Sequence, residues 1–140
     1  MATDPADIPG EITWEELQTE SKSPAPLSEY TSVTRKLRRV ARFDWEAAKY
    51  AAMLNRPTRI AANFMDYIDF ENRYASDWSS LTEQARTFVE RLETLTNAPA
   101  AYIGTGPALS ETVFRPETFE HPNTTPVEPT AQIYSVRRPQ

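Results

Sequence analysis

Cysteine is absent from this chain, glycine occurs three times and histidine once. Without cysteine there is no disulfide framework, thiolate metal site or thiol nucleophile, and the composition fits a reducing compartment. The lone His121 stands beside Pro122 in the last segment, so a histidine metal cluster cannot be built and any Ser-His-Asp triad would depend on a tail residue. No apolar run approaches the ~20 residues of a membrane span. The start, "MATDPADIPGEITW", lacks the basic and apolar stretches of a signal peptide. A soluble, cytoplasmic protein with no membrane partner is expected. Positive charge is also in deficit: 15 Lys+Arg face 20 Asp+Glu, a formal −5, which disfavours nucleic acid as a partner.

What is present is unevenly distributed. The 140 residues suit one domain. Nine of the twelve prolines, however, fall at positions 5, 9, 24, 26, 116, 122, 126, 129 and 139. Residues 1–27 therefore read as an acidic, proline-containing arm with a short helix, residues 28–115 as an α/β region, and residues 116–140 as a disordered Pro/Thr-rich tail.

Local signals divide the central region. Thr13-Trp14-Glu15-Glu16 has the form of a capping box, and "SKSPAP" at 21–26 stops the helix it starts. Asp44 can cap a helix to about Asn55, whose alanine-rich face implies close packing against a sheet. Next, "TRIAANFMDYI" reads as a buried strand with Ile60, Ala62 and Phe64 on one side and Asp66 at its end. Ser80-Leu81-Thr82-Glu83 forms a second capping-box pattern before Leu81, Ala85, Phe88, Val89, Leu92 and Leu95, spaced for an amphipathic helix that Asn97 and Pro99 close. A strand "PAAYI" and a turn "GTGP" follow. The order predicts an incomplete βαβ-type piece of a mixed or parallel sheet.

Three groups carry candidate chemistry. Arg35, Lys36, Arg38, Arg39 and Arg42 place five cations in eight residues behind the hydroxyls of Thr31, Ser32 and Thr34. Guanidinium forks and hydroxyls suit a carboxylate or phosphate, while a solvated basic strand uses the same residues. Asp66, where ligands of open sheets bind, can accept two N–H bonds from a guanine edge or cap its own backbone. Gly104-Thr105-Gly106 allows close backbone approach to a planar ligand, or simply a turn.

In order and separation these pieces resemble the C-terminal portion of adenylosuccinate synthetases, which join L-aspartate to inosine monophosphate at the expense of GTP. The stretch "SVTRKLRRVARFD" stands where the family usually reads T-T-G-R-P-R-R and then F-D at a helix start. "LTEQARTFVERLETLTNAP" is similar to the family's L-P-x-x-A-R-x-Y-[IV]-E-R-[IL]-E-x-L-T-G-V-P, and "GTGPALSET" to its S-T-G-P-x-x-x-x-E-T. The likeness covers residues 28–114 and is greatest to shorter archaeal and phage-type members, including those making 2-aminoadenylosuccinate.

The resemblance implies a substrate loop at Ser32, Val33, Thr34, Arg35, Lys36, Leu37 and Arg38. In it Lys36 replaces the arginine that touches the nucleotide monophosphate, and Arg38 serves both aspartate and the GTP side. It also implies a base pocket of Phe64, Met65, Asp66, Gly104, Thr105 and Gly106, with Asp66 reading guanine. GTP is then a co-substrate, with Mg2+ held on another part of the enzyme and none by this chain alone. The implied partners are the nucleotide and aspartate substrates, an N-terminal synthetase half bearing the phosphate loop, and a second copy. No G-D-E-G-K-G-like loop occurs among these residues, nor the family's catalytic Asp and His, so turnover by this chain alone is not expected. A non-catalytic remnant serving as a small binding module is the alternative. Two departures stand out: Arg35 replaces the loop glycine and should resist a positive φ, and Phe64 replaces a lysine beside the base.

Overall fold

A computed structural model describes residues 8–115 of the chain. The seven residues before them and the tail from Pro116 onward, where disorder is expected, lie outside the described residues. The protein is mixed α/β, with a two-stranded and a three-stranded sheet.

The N-terminal layer begins with β1 (Glu11–Ile12) and α1 (Trp14–Ser21). Thr13 caps α1 through the expected box: its hydroxyl accepts from the Glu16 N–H at 3.1 Å while its own N–H donates to the Glu16 carboxylate at 2.7 Å. Lys22, in the left-handed region at φ 59°, ends the helix before the prolines. A hairpin then leads to β2 (Val40–Ala41), which pairs antiparallel with β1. Neither two-residue strand announces itself in sequence, being too short for an alternation pattern.

Asp44 caps α2 (Trp45–Asn55) by accepting from the Ala47 N–H at 2.9 Å, and Arg56 closes it at φ 46°. The expected packing of the alanine face against a sheet does not occur. No residue of α2 is buried, and its neighbour is a helix, touched through Trp45 and Ala48.

The remaining elements form the βαβ unit. Strand β3 (Ile60–Ala62) is parallel to β4 (Ala100–Gly104), and the crossover between them holds α3 (Met65–Ile68), 3-10 turns at Phe70–Asn72 and Trp78–Ser80, and α4 (Glu83–Thr96). β5 (Thr112–Phe114) returns antiparallel to β4, giving the order β3-β4-β5. The strand expected through residue 64 stops at Ala62. Phe64 turns the backbone at φ 69° and is exposed, so that Met65 rather than Phe64 enters the core, at 1% exposure. The cap expected at Ser80 falls at Thr82, whose hydroxyl accepts from Ala85 N–H; Ser80 instead completes a box with Asp77. Two hydroxyls two residues apart offered alternative starts, and burying Leu81 at 2% exposure selects the later one.

Met65, Ala85, Val89, Leu92, Ala100, Ile103 and Val113 meet in one cluster. Each large side chain fully buried there contributes about 1.5–3 kcal/mol relative to exposure. Polar groups in the core are paired. Asn72, fully buried, donates to the Met65 and Asp69 carbonyls at 2.9 and 3.0 Å and accepts from Thr82 N–H at 2.8 Å. Glu93 accepts from Ala100 N–H at 2.8 Å and from Arg115 at 3.1 Å.

Candidate functional site

The basic stretch folds as a hairpin. Arg38 N–H donates to Glu29 O at 2.8 Å, Tyr30 and Leu37 bridge, and Thr31 N–H donates to Lys36 O at 2.9 Å. At its tip the Thr31 and Thr34 hydroxyls are 2.6 Å apart, and Thr31 Oγ1 accepts from Lys36 N–H at 3.0 Å. Arg35 lies in the left-handed region at φ 54°, contrary to the expectation that its side chain would resist that conformation. The closing hydrogen bonds, among them Arg35 N–H to Thr31 O at 3.1 Å, offset a cost of about 1–2 kcal/mol.

The five cations divide into two sets. Arg38 faces Glu29 at 3.6 Å, Arg39 grips Glu11 with two bonds of 2.5 and 2.6 Å, and Arg42 pairs with Glu20. The acidic N-terminal residues thus neutralise three members of the cluster. Arg35 and Lys36, at the tip with exposed Ser32 and Val33, have no ion-pair partner among the described residues. The tip thus presents two cations and two hydroxyls, the groups from which an anion site can be built.

Asp66 sits on α3, one turn off the sheet, and is buried. Burial pushes its carboxyl above the usual carboxylate range, and the Arg73 guanidinium, 3.5 Å away, opposes that shift. Arg73 Nε also donates to Glu111 at 3.2 Å; Glu111 in turn accepts from Ala108 N–H at 2.8 Å, the main reason its carboxyl is held low. Arg73 therefore links the Asp66 helix to the turn after β4.

Within that turn Thr105 is wholly buried. Its N–H donates to Glu111 O at 2.9 Å, and its hydroxyl reaches Glu111 O at 3.0 Å and Ala75 O at 3.3 Å. Its flanking glycines answer to space. A Cβ on Gly104 would stand 2.5 Å from Asn63 Oδ1, and one on Gly106 would stand 2.6 Å from Glu111 Cδ and 2.9 Å from Arg73 Nε. The close approach that these glycines allow is thus to Asn63, Glu111 and Arg73.

Tyr67, the residue after Asp66, joins the hairpin to α3: its hydroxyl donates to Glu29 at 2.8 Å, and burial with this bond raises its pKa. Trp14 meets the Tyr67 ring edge-on at 6.3 Å and donates its indole N–H to Arg38 O at 2.8 Å. The candidate segments consequently converge on α3, although the tip residues Ser32–Lys36 bond only within the hairpin. Glu29, Tyr67, Arg73 and Glu111 were not singled out by sequence, because their partners lie 7–38 positions away. Among the described residues no three or more His, Asp or Glu side chains are grouped so as to hold a metal ion.

A wide cleft of ≈ 1190 Å³ opens beside β3, walled by α2, β2 and α4 and reached by Arg38, Phe64 and Met65. Among the described residues no helix is long and apolar enough to cross a membrane.

No protein-family model matches the chain. Its sequence is 35% identical over 98 residues to the adenylosuccinate synthetase of Methanocaldococcus jannaschii, a match covering 70% of this chain and 28% of that protein. It is 34% identical over 98 residues to the adenylosuccinate synthetase of Archaeoglobus fulgidus, covering 70% and 29%, and 35% identical over 104 residues to that of Pyrococcus horikoshii, covering 74% and 31%. The chain thus spans less than a third of the length of these relatives, in their C-terminal portion.

Proposed function

This chain carries a C-terminal portion of the adenylosuccinate synthetase family, and from that premise we propose that it supplies the aspartate loop and the guanine pocket of such a ligase. The reaction assigned is the joining of inosine monophosphate and L-aspartate with GTP. What supports this reading is the convergence of the Glu29–Arg38 hairpin, Asp66 and the Gly104–Gly106 turn on one short helix, in a chain with this ancestry.

In this proposal the free Arg35 and Lys36, with Ser32 and Thr34, receive carboxylate and phosphate groups at the hairpin tip. Asp66, ionised, accepts two N–H bonds from the guanine edge. Arg73 favours the ionised form against the pull of burial. Phosphoryl transfer depends on positioning and charge neutralisation by a phosphate loop, which none of these residues provides. Catalysis therefore needs the preceding portion of a synthetase, in the same polypeptide or in another. The part of the M. jannaschii enzyme that precedes the match, combined with this chain, should form adenylosuccinate; no product, with neither GTP nor aspartate bound, overturns the proposal. In that assembly Asp66→Asn should lower the preference for GTP over ATP roughly tenfold or more, one charge-assisted hydrogen bond being about 1.5–3 kcal/mol. Unchanged base preference removes Asp66 from the pocket.

Phe64 favours a second reading, a non-catalytic binding module. Its ring lies against Tyr67 at a centroid distance of 5.2 Å, in the place of the lysine usual beside the base. Ligand binding without turnover in the same assembly would select it. Substrate competition there, inosine against 2-aminopurine monophosphates, distinguishes a 2-aminoadenylosuccinate synthetase.

A further inference from the structure

Arg73 stands between the two parts assigned to the base pocket. Its Nη1 reaches the Asp66 carboxylate of α3 at 3.5 Å, and its Nε donates at 3.2 Å to Glu111, in the turn that follows β4. That turn makes room for it: a Cβ on Gly106 would lie 2.9 Å from Arg73 Nε. The guanidinium carbon also lies over the Tyr74 ring, 5.4 Å from its centre. One side chain thus sets how α3 stands against the Gly104–Gly106 turn.

The charges around Asp66 do not balance. Glu29 from the hairpin, Glu111 from the turn and the Tyr67 hydroxyl all act on it or on its neighbour, and among these groups Arg73 is the one cation. A single guanidinium therefore serves two carboxylates whose side chains are only 10% and 11% exposed. Glu111 has a second anchor in the Ala108 N–H. Asp66 has acceptor capacity left over, since a carboxylate offers about four lone-pair sites and Arg73 and the residue's own N–H engage only some of them. A buried carboxylate short of counter-charge is a strong acceptor for the N–H groups of a ligand.

We propose that Arg73 is the positioning residue for base selection: by neutralising Asp66 and bracing it against the Gly104–Gly106 turn, it decides which purine edge the pocket accepts. This inference rests on the pocket reading above. The choice lies between two forms of one side chain. An ionised carboxylate offers two acceptors, which match the two N–H donors of a guanine edge. A protonated one offers a donor and an acceptor, which match the ring nitrogen and amino group of adenine. Burial pulls Asp66 toward the second form, and Arg73 opposes that pull.

The test uses two samples. In the 140-residue chain the Asp66 carboxyl is titrated by NMR; in the assembly with the preceding part of the M. jannaschii enzyme, GTP and ATP binding are compared between about pH 5.5 and 8. Arg73→Gln, similar in reach but uncharged, should move the Asp66 midpoint to higher pH. In the assembly it should lower the preference for GTP over ATP roughly tenfold at the acid end and less at the alkaline end. Arg73→Lys keeps the charge, so the preference should again vary little with pH, but without a fork to span both carboxylates it should remain below that of the unaltered protein. An arginine with a merely structural role would, when replaced, weaken GTP and ATP alike and leave their ratio independent of pH. That result, or an unmoved Asp66 midpoint, overturns the inference. If Arg73→Gln does not fold, the ratio is read on Arg73→Lys, and an unchanged ratio there overturns it too. Asp66→Asn separates the two levels of the reading. If it changes the ratio and Arg73→Gln does not, the pocket stands and the inference falls; if Asp66→Asn leaves the ratio unchanged, the pocket reading itself falls and takes the inference with it.

Discussion

All ten residues of the central apolar cluster lie between Ala62 and Val113, whereas from Ile8 to Pro57 only Ile12 and Leu17 are buried apolar side chains. The βαβ unit holds itself together by burial, with Asn72 and Glu93 pairing the backbone groups that burial would otherwise orphan. The N-terminal layer is held by surface charge pairs, edge-on rings and two-residue strands. Exposed ion pairs contribute about 0–1 kcal/mol each, against several for a core side chain. The layer carrying the candidate substrate loop is therefore the weaker one. Its ties to the βαβ unit are two polar contacts, Lys22 to Asp69 at 2.5 Å and Tyr67 to Glu29 at 2.8 Å, and ring contacts at the surface, Trp14 on Tyr67 and Phe43 and Trp45 on Phe88.

The most severe way to break this contrast is to attack the stronger side. Ile103, fully buried in β4, should cost about 2–5 kcal/mol as Ile103→Ala, measured by urea unfolding, and both regions should unfold in one transition at lower denaturant. A transition confined to residues 60–115 would show that the N-terminal layer stands by itself.

A smaller, local effect is expected from the tie. Lys22 hydrogen-bonds Asp69 and holds its carboxyl below the usual carboxylate range. A depressed folded pKa gives stability that is complete above the unfolded value of 3.8 and is lost as pH falls through the folded one. Asp66 acts in the opposite sense, since its raised pKa makes protonation on acidification favour the fold. Lys22→Met should therefore flatten the loss of stability below about pH 4, and should speed amide exchange in residues 11–21 without changing it in α4. Equal acceleration in α4 would mean that the two regions do not differ as described.

The smallest effect should come from the hairpin tip. Arg35→Gly relieves a left-handed backbone but loosens the unfolded chain, two terms of about 1 kcal/mol and opposite sign, so stability should move by less than about 1 kcal/mol. A larger gain would identify real strain at Arg35. If the functional proposal holds, loss of the free cation should nonetheless weaken anion binding in the assembled enzyme.

Legibility in the sequence follows the same division. The caps at Thr13 and Asp44, the left-handed stop at Asn97 and the buried face of α4 all depend on residues within four positions of each other, and all were readable. The strand through Phe64 and the start at Ser80 were misplaced, because competing local options are settled by which apolar residue the core accepts: Met65 in one case, Leu81 in the other. The acidic arm and the basic stretch were each visible. That Glu11, Glu20 and Glu29 neutralise Arg39, Arg42 and Arg38 was not.

The sequence by itself determined the caps at Thr13 and Asp44, the stop at Asn97, the amphipathic crossover and the kinship with adenylosuccinate synthetases, since each is written in short-range spacing or in residue identity. Only the tertiary structure decided that, among the described residues, Arg35 and Lys36 are the two members of the basic cluster without an ion-pair partner and β3 has a strand on one side alone, that Arg73 bridges Asp66 to Glu111, and that the side chains of Asn63, Glu111 and Arg73 crowd Gly104 and Gly106. Those facts depend on which distant atoms share a few ångströms of space. Three-dimensional packing sets that distance, and position along the chain does not.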